Sequence, residues 1–181
     1  MKKIDTADEA QLFATIDRWV EREVKPRVKE FDHADKWPAE IVEQMKELGL
    51  FGATVSPDYG GLGLPATTYA QIVMKISAVW MAITGIFNSH LMLALAVEKF
   101  GTEPQKRHWL PKFASGEIRG GLALTEPNAG TDLQAIRMTA RPTRATTSST
   151  APRPGSATAS RARASRCWSR PIPRRARAIP A

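Results

Sequence analysis

The densest run of chemistry-bearing residues is Leu122-Ala123-Leu124-Thr125-Glu126-Pro127-Asn128-Ala129-Gly130-Thr131-Asp132. It offers two hydroxyls, two carboxylates and a cluster of turn-forming residues. Gly120 and Gly121 punctuate its start and Leu122 to Leu124 are apolar, so residues 120–126 read as a short strand entering a turn. Pro127 fixes one φ, and Asn128 and Gly130 tolerate positive φ, which would aim several backbone N–H groups into one concavity. Such a loop suits a ligand with hydrogen-bond acceptors. The same residue types also build an ordinary connection between elements.

Elsewhere the candidates are sparse. His33, His90 and His108 have no partner at metal-ligand spacing, so they read as surface or structural imidazoles and no metal site is expected. A lone cysteine, Cys167, cannot supply a disulfide framework or a thiolate metal site within the chain. No nucleophile elbow, Walker loop, dinucleotide fingerprint or zinc motif occurs. Lys106-Arg107 suits either a phosphate or a solvated helix surface. Trp80, Met81 and Met92 fall at helical positions and read as core rather than cofactor contacts.

The elements that must position the loop are helical. Thr6-Ala7-Asp8-Glu9 has capping-box spacing with Thr6 as cap, and Leu12, Ile16, Trp19, Val20, Val24, Val28 and Phe31 then follow as one apolar face that Pro26 should kink or divide. Trp37-Pro38 opens a second helix with Pro38 at its first position; Ile41, Val42, Met45 and Leu48 form its stripe and Gly49 ends it. Helices over about 67–80 and 81–100 follow, then a short one opened by Glu103-Pro104. The glycine-rich loop at Tyr59 to Gly63 allows close approach to backbone or ligand, or is a mobile surface loop.

The net charge of +8 first suggests a nucleic acid or an anionic membrane. Its distribution argues otherwise: residues 1–140 hold 16 Lys and Arg against 18 Asp and Glu, whereas residues 141–181 hold ten Arg and no acid. The start Ile4-Asp5-Thr6-Ala7-Asp8-Glu9 is too acidic for a secretory signal, and the apolar stretch 83–100 contains Asn88, His90, Glu98 and Lys99, so it reads as a buried helix rather than a membrane span. A cytoplasmic protein is expected.

Two strings carry a resemblance. Thr125 to Asp132 resembles the Thr-Glu-Pro-x-Ala-Gly-Ser/Thr-Asp motif of the acyl-CoA dehydrogenase family, flavoenzymes that desaturate acyl-CoA thioesters, and Pro57-Asp58-Tyr59-Gly60-Gly61-Leu62-Gly63 resembles that family's glycine-rich loop. The resemblance covers residues 1 to about 141. It implies a mainly α chain: an N-terminal helical domain over residues 1–116, the first strand region of a middle β-domain with a flavin loop over 117–141, and then a tail over 142–181. It implies FAD as cofactor, contacted by Leu122, Ala123, Leu124, Thr125, Gly130 and Thr131. Thr125 and Thr131 would hydrogen-bond the flavin edge and its N5 region, and Thr131 would border the acyl-CoA substrate. The family reaction removes an α-proton with a carboxylate while the β-hydrogen leaves as hydride, giving a trans-2-enoyl-CoA, and electrons pass to an electron-transfer flavoprotein. The family's base belongs to a C-terminal domain, so no catalytic residue is assigned here and Glu126 stays a loop residue. A homo-oligomer is implied for the intact parent. An acyl-CoA oxidase fits the same residues, and a noncatalytic helical module with a basic nucleic-acid-binding arm is the alternative from another class.

Thirty-five of the forty residues from Pro142 to Ala181 are Pro, Arg, Ala, Ser or Thr. Such a sequence cannot assemble a core, so disorder is expected. It also has the composition of a GC-rich gene read out of frame. Moving the codon boundaries back by one nucleotide places T in the middle of the codons at Ser148, Ser149, Ser156, Ser160, Ser165, Cys167, Trp168 and Ser169, provided the serines use TCN codons, and middle-T codons encode apolar residues. One permitted decoding contains Lys-Ala-Trp-Ile-Ser-Asn, which resembles a flavin-contacting strand of the family's β-domain. A one-nucleotide frameshift near residue 141, leaving a truncated and inactive chain, is the expectation.

Overall fold

The computed structural model describes residues 5–137 and the backbone of residues 140–142 and 147–149. These fall in two units, 1–122 and 123–181. The first is helical, as expected, and holds the core. Asp5 rather than Thr6 caps α1 (Thr6–Trp19), its carboxylate accepting from the Ala7 N–H at 3.2 Å. A carboxylate one position earlier adds a favourable charge at the positive helix end, which a hydroxyl cannot. Glu9 is turned away from the cap and accepts the Thr68 hydroxyl instead. Ile16, Trp19, Val20, Val24 and Phe31 are buried, with Leu12 and Val28 against them, so the apolar face holds across a π-helical stretch, Val20–Val24, into α2 (Val28–His33). Pro26, with no N–H to give, lies in the turn that divides the two.

Pro38 is the N-cap of α3 (Ala39–Glu47), one position earlier than expected. Ile41, Val42 and Met45 are buried, and Gly49 leaves the helix at φ +72°. The Trp19 indole N–H donates to the Gln44 side chain at 2.8 Å, tying α1 to α3.

Residues Ala66–Phe100 form α4, interrupted at Trp80, whose φ of −151° and ψ of 96° are extended. On a straight helix Tyr69 and Asn88 would lie about 28 Å apart. Here the Tyr69 hydroxyl donates to the Asn88 side chain, the Ser77 and Thr84 hydroxyls meet at 3.3 Å, and the Tyr69 and Phe87 rings contact edge to face at 6.3 Å. The chain therefore reverses at Trp80, and α4 is an antiparallel pair of arms. By length and composition alone α4 is long and apolar enough to cross a membrane. Folded back on itself, it instead lays Ile72, Ile76, Ile83, Phe87, Leu91, Ala94 and Val97 into the core. Trp80 is buried as expected, stacked on Phe31 at 6.0 Å, but Met81 and Met92 are exposed, at 74% and 53%. They lie on the outer side of the second arm, where helical spacing alone could not place them.

Helix α5 (Glu103–Ala114) carries a capping box, Thr102 with Gln105, and packs on α4. Residues 120–126 do not form the expected strand; a ladder needs a partner, and of these residues Glu126 alone makes a bridge, to Ala129, among the described residues. Strand β1 (Ala140–Pro142) pairs antiparallel with β2 (Thr147–Ser149), with Ala140 opposite Ser149. The expected disorder thus meets a paired segment at its start, and the remainder of the expected tail lies outside the described residues.

Candidate functional site

In the loop that opens the second unit, the Glu126 N–H donates to the Ala129 carbonyl at 2.9 Å and the Ala129 N–H to the Glu126 carbonyl at 3.2 Å. This closes a tight turn over Pro127 and Asn128. Neither Asn128 nor Gly130 has positive φ, contrary to expectation, because the reciprocal bonds close the turn without it. Both carboxylates serve the backbone: Glu126, 8% exposed, accepts from the Arg137 N–H at 2.9 Å, and Asp132 accepts from the Gln134 N–H at 3.0 Å. The hydroxyl residues Thr125 and Thr131, with Ala123, Leu124 and Gly130, are exposed around the closed pair. Leu122, the last residue of the helical unit, is exposed as well. What the segment presents is therefore hydroxyl and apolar surface, with its acids turned to internal work.

The glycine-rich loop resolves to close backbone packing. A β-carbon on Gly61 would lie 2.1 Å from the Val55 carbonyl oxygen, and the N–H groups of Leu62, Gly63 and Leu64 donate to the carbonyls of Gly52, Val55 and Ala53 at 2.8–2.9 Å. The Tyr59 hydroxyl reaches the Glu103 carboxylate at 3.4 Å. Lys106, a candidate phosphate ligand by sequence, pairs with Glu103 at 3.2 Å.

His33 and His108 lie on the surface, whereas His90 is fully buried in the second arm of α4. Its ring stands edge-on to Phe51 and Phe113 at 5.3 and 5.5 Å. Its Nε2 lies 2.9 Å from the Phe113 carbonyl and its Nδ1 3.4 Å from the Gly120 N–H. A carbonyl only accepts and an amide N–H only donates, so the partners select the neutral tautomer with the proton on Nε2. Burial holds its pKa down at about 4; the Phe113 and Phe51 backbone favours the charged ring, and the Arg119 charge opposes it. The Arg119 guanidinium lies over the Trp37 and Phe51 rings at 5.8 and 5.9 Å. From its residue type alone His90 reads as either a surface or a structural imidazole. The signal was its place in the stripe Ile83, Phe87, His90, Ala94, Val97, all of which are buried.

The family profile described as "Acyl-CoA dehydrogenase, N-terminal domain" matches residues 6–117. The chain belongs to the acyl-CoA dehydrogenase family. It is 38% identical over 118 residues to the short-chain specific acyl-CoA dehydrogenase of Clostridium acetobutylicum, covering 65% of this chain and 31% of that protein. With acryloyl-CoA reductase (NADH) of Anaerotignum propionicum it shares 34% identity over 143 residues, 77% of this chain and 36% of the relative. A solved glutaryl-CoA dehydrogenase of Mycobacterium smegmatis in complex with FADH2 superposes at a TM-score of 0.64 with 28% identity, covering 78% of this chain and 36% of that one. The chain thus spans about a third of the length of these acyl-CoA dehydrogenase relatives.

Proposed function

We propose that this chain supplies the helical domain and the first flavin-contacting segment of an FAD-dependent acyl-CoA dehydrogenase, whose intact parent converts an acyl-CoA thioester to a trans-2-enoyl-CoA in the cytoplasm. The exposed Thr125 and Thr131 beside a turn whose acids are already engaged carry this reading. Hydroxyls match the acceptors and donors along a flavin edge, and Leu122, Leu124 and the side-chain-free Gly130 leave apolar surface and room for a flat ring, so the residue set fits FAD. When bound, FAD supplies the hydride acceptor. Thr125 and Thr131 would orient it, and Thr131 would also border the thioester. Glu126 is held by the Arg137 amide, which supports placing the α-proton base outside this chain. The electron partner would be an electron-transfer flavoprotein and the parent a homo-oligomer.

We further propose that the rest of the flavin site is encoded in the neighbouring frame after residue 141; nucleotide sequence showing that this frame is closed there would end that idea. Absorbance of the purified chain across the flavin bands, with and without FAD, tests the function. Weak saturable FAD binding without turnover is expected, reduced further by Thr125→Val and Thr131→Val. Indifference to both substitutions would remove the segment from the flavin site, and stoichiometric flavin with turnover would contradict an external base.

A further inference from the structure

The stretch 118–120 lies in the helical unit just ahead of the segment proposed to contact flavin, and three contacts fasten it. The Ile118 N–H donates to the Lys112 carbonyl at 3.1 Å. Arg119 lies over Trp37 and Phe51. The Gly120 N–H donates to His90 Nδ1, and Gly120 presses so closely on α4 that a β-carbon there would lie 2.5 Å from a Leu93 methyl. His90 is the hub: one ring joins the second arm of α4, the end of α5 at Phe113, and Gly120.

We propose that His90 is a positioning residue: as the neutral Nε2–H tautomer it latches the Gly120 amide and so fixes the point from which the flavin-contacting segment leaves the helical unit. Two fixed partners of opposite character, the Phe113 carbonyl and the Gly120 N–H, are both served only with the proton on Nε2. Flipping the ring, or moving the proton to Nδ1, sets an N–H against the Gly120 N–H and a bare nitrogen against the Phe113 carbonyl. The latch stands on the helical unit alone; its bearing on flavin rests on the function proposed above.

The experiment uses the full 181-residue chain, labelled with nitrogen-15. At pH 7 the His90 ring is expected to show a protonated Nε2 and a bare Nδ1. Amide exchange at Gly120 should quicken about tenfold in His90→Phe, which keeps an aromatic ring but loses both polar contacts, while Leu91 and Ala94 in α4 keep their protection. His90→Gln, whose amide donates and accepts at once, should restore part of it. A proton on Nδ1, directed to the Phe51 carbonyl, would overturn the proposal, as would equal Gly120 exchange in the unmutated chain and His90→Phe. Should His90→Phe fail to fold, the tautomer in the unmutated chain decides alone. None of these readouts involves FAD, so a sound latch beside an FAD titration insensitive to Thr125 and Thr131 would fault the function and spare the latch.

Discussion

Gly61 and Gly60 are neighbours with different reasons to be glycine, and mutation should separate them. At Gly61 a methyl group would meet the Val55 carbonyl oxygen at 2.1 Å, where backbone lies on both sides and neither side can give. At Gly60 there is open space within 4 Å, and only the φ of +81° disfavours a side chain. Gly61→Ala should therefore cost about 3 kcal/mol and Gly60→Ala about 1 kcal/mol, read as urea midpoints. Equal costs would mean that the loop is not packed on Val55. His90 gives the second residue-scale prediction. Its folded pKa of about 4 lies below the ordinary 6.5, so the unfolded chain takes up the proton first. The stability it contributes is whole above pH 6.5 and drains away as pH falls towards 4. Between pH 7 and 4.5 the unmutated chain should lose about 2.5 kcal/mol more than His90→Phe, which has nothing to titrate there. Parallel losses in urea unfolding would contradict a buried, neutral imidazole.

The reversal of α4 is held by side chains from both arms, and Tyr69 tests it. Tyr69→Phe keeps the ring against Phe87 but removes the bond to Asn88, and should cost about 1 kcal/mol in thermal unfolding. Burial pushes the Tyr69 phenol up to about 12, above its ordinary 10. The folded chain thus holds that proton longer than the unfolded one, and stability is lost as pH rises from 10 through 12; Tyr69→Phe should blunt this alkaline loss. Local pattern made most of these elements legible. The stripe from Leu12 to Phe31 and the end of α3 at Gly49 follow from spacing, glycine and proline between near neighbours in sequence. What local pattern left out depends on distant partners. The reversal at Trp80 is accompanied by stacking on Phe31, forty-nine positions earlier, and no glycine or proline marks it. The strand expected at 120–126 finds no partner strand among the described residues, and its Glu126 bridges instead to Ala129 within the turn. At the candidate site, residue identity was legible and conformation was not: the turn closes by reciprocal bonds rather than by positive φ at Asn128 or Gly130.

Across the whole molecule, apolar surface and charge are unevenly placed, and both have consequences in solution. Met74, Met81, Met92, Leu95 and Phe100 on α4 are all exposed, Phe100 at 81%. Exposed apolar side chains of this size predict self-association through α4 at high concentration. Met81→Lys with Phe100→Lys should suppress light scattering at high concentration while leaving the helical circular dichroism intact, since neither side chain is part of the core. Charge supplies the last test. The core and the residues packed against it run from Leu12 to Ile118, whereas all ten arginines of residues 141–181 lie beyond it. Ending the chain after Thr150 removes eight of those arginines and leaves every core residue among the described residues in place. The thermal midpoint should accordingly move by no more than about 2 °C. Retention on a polyanion should fall sharply, because each arginine that neutralises a phosphate releases a counterion and steepens the salt dependence. If the shortened chain still binds DNA with an unchanged salt slope, the binding surface belongs to the helical unit. The noncatalytic reading would then gain over a flavin-contacting role. If binding vanishes while folding persists, the basic residues are separable from the part of the chain that carries the family's features.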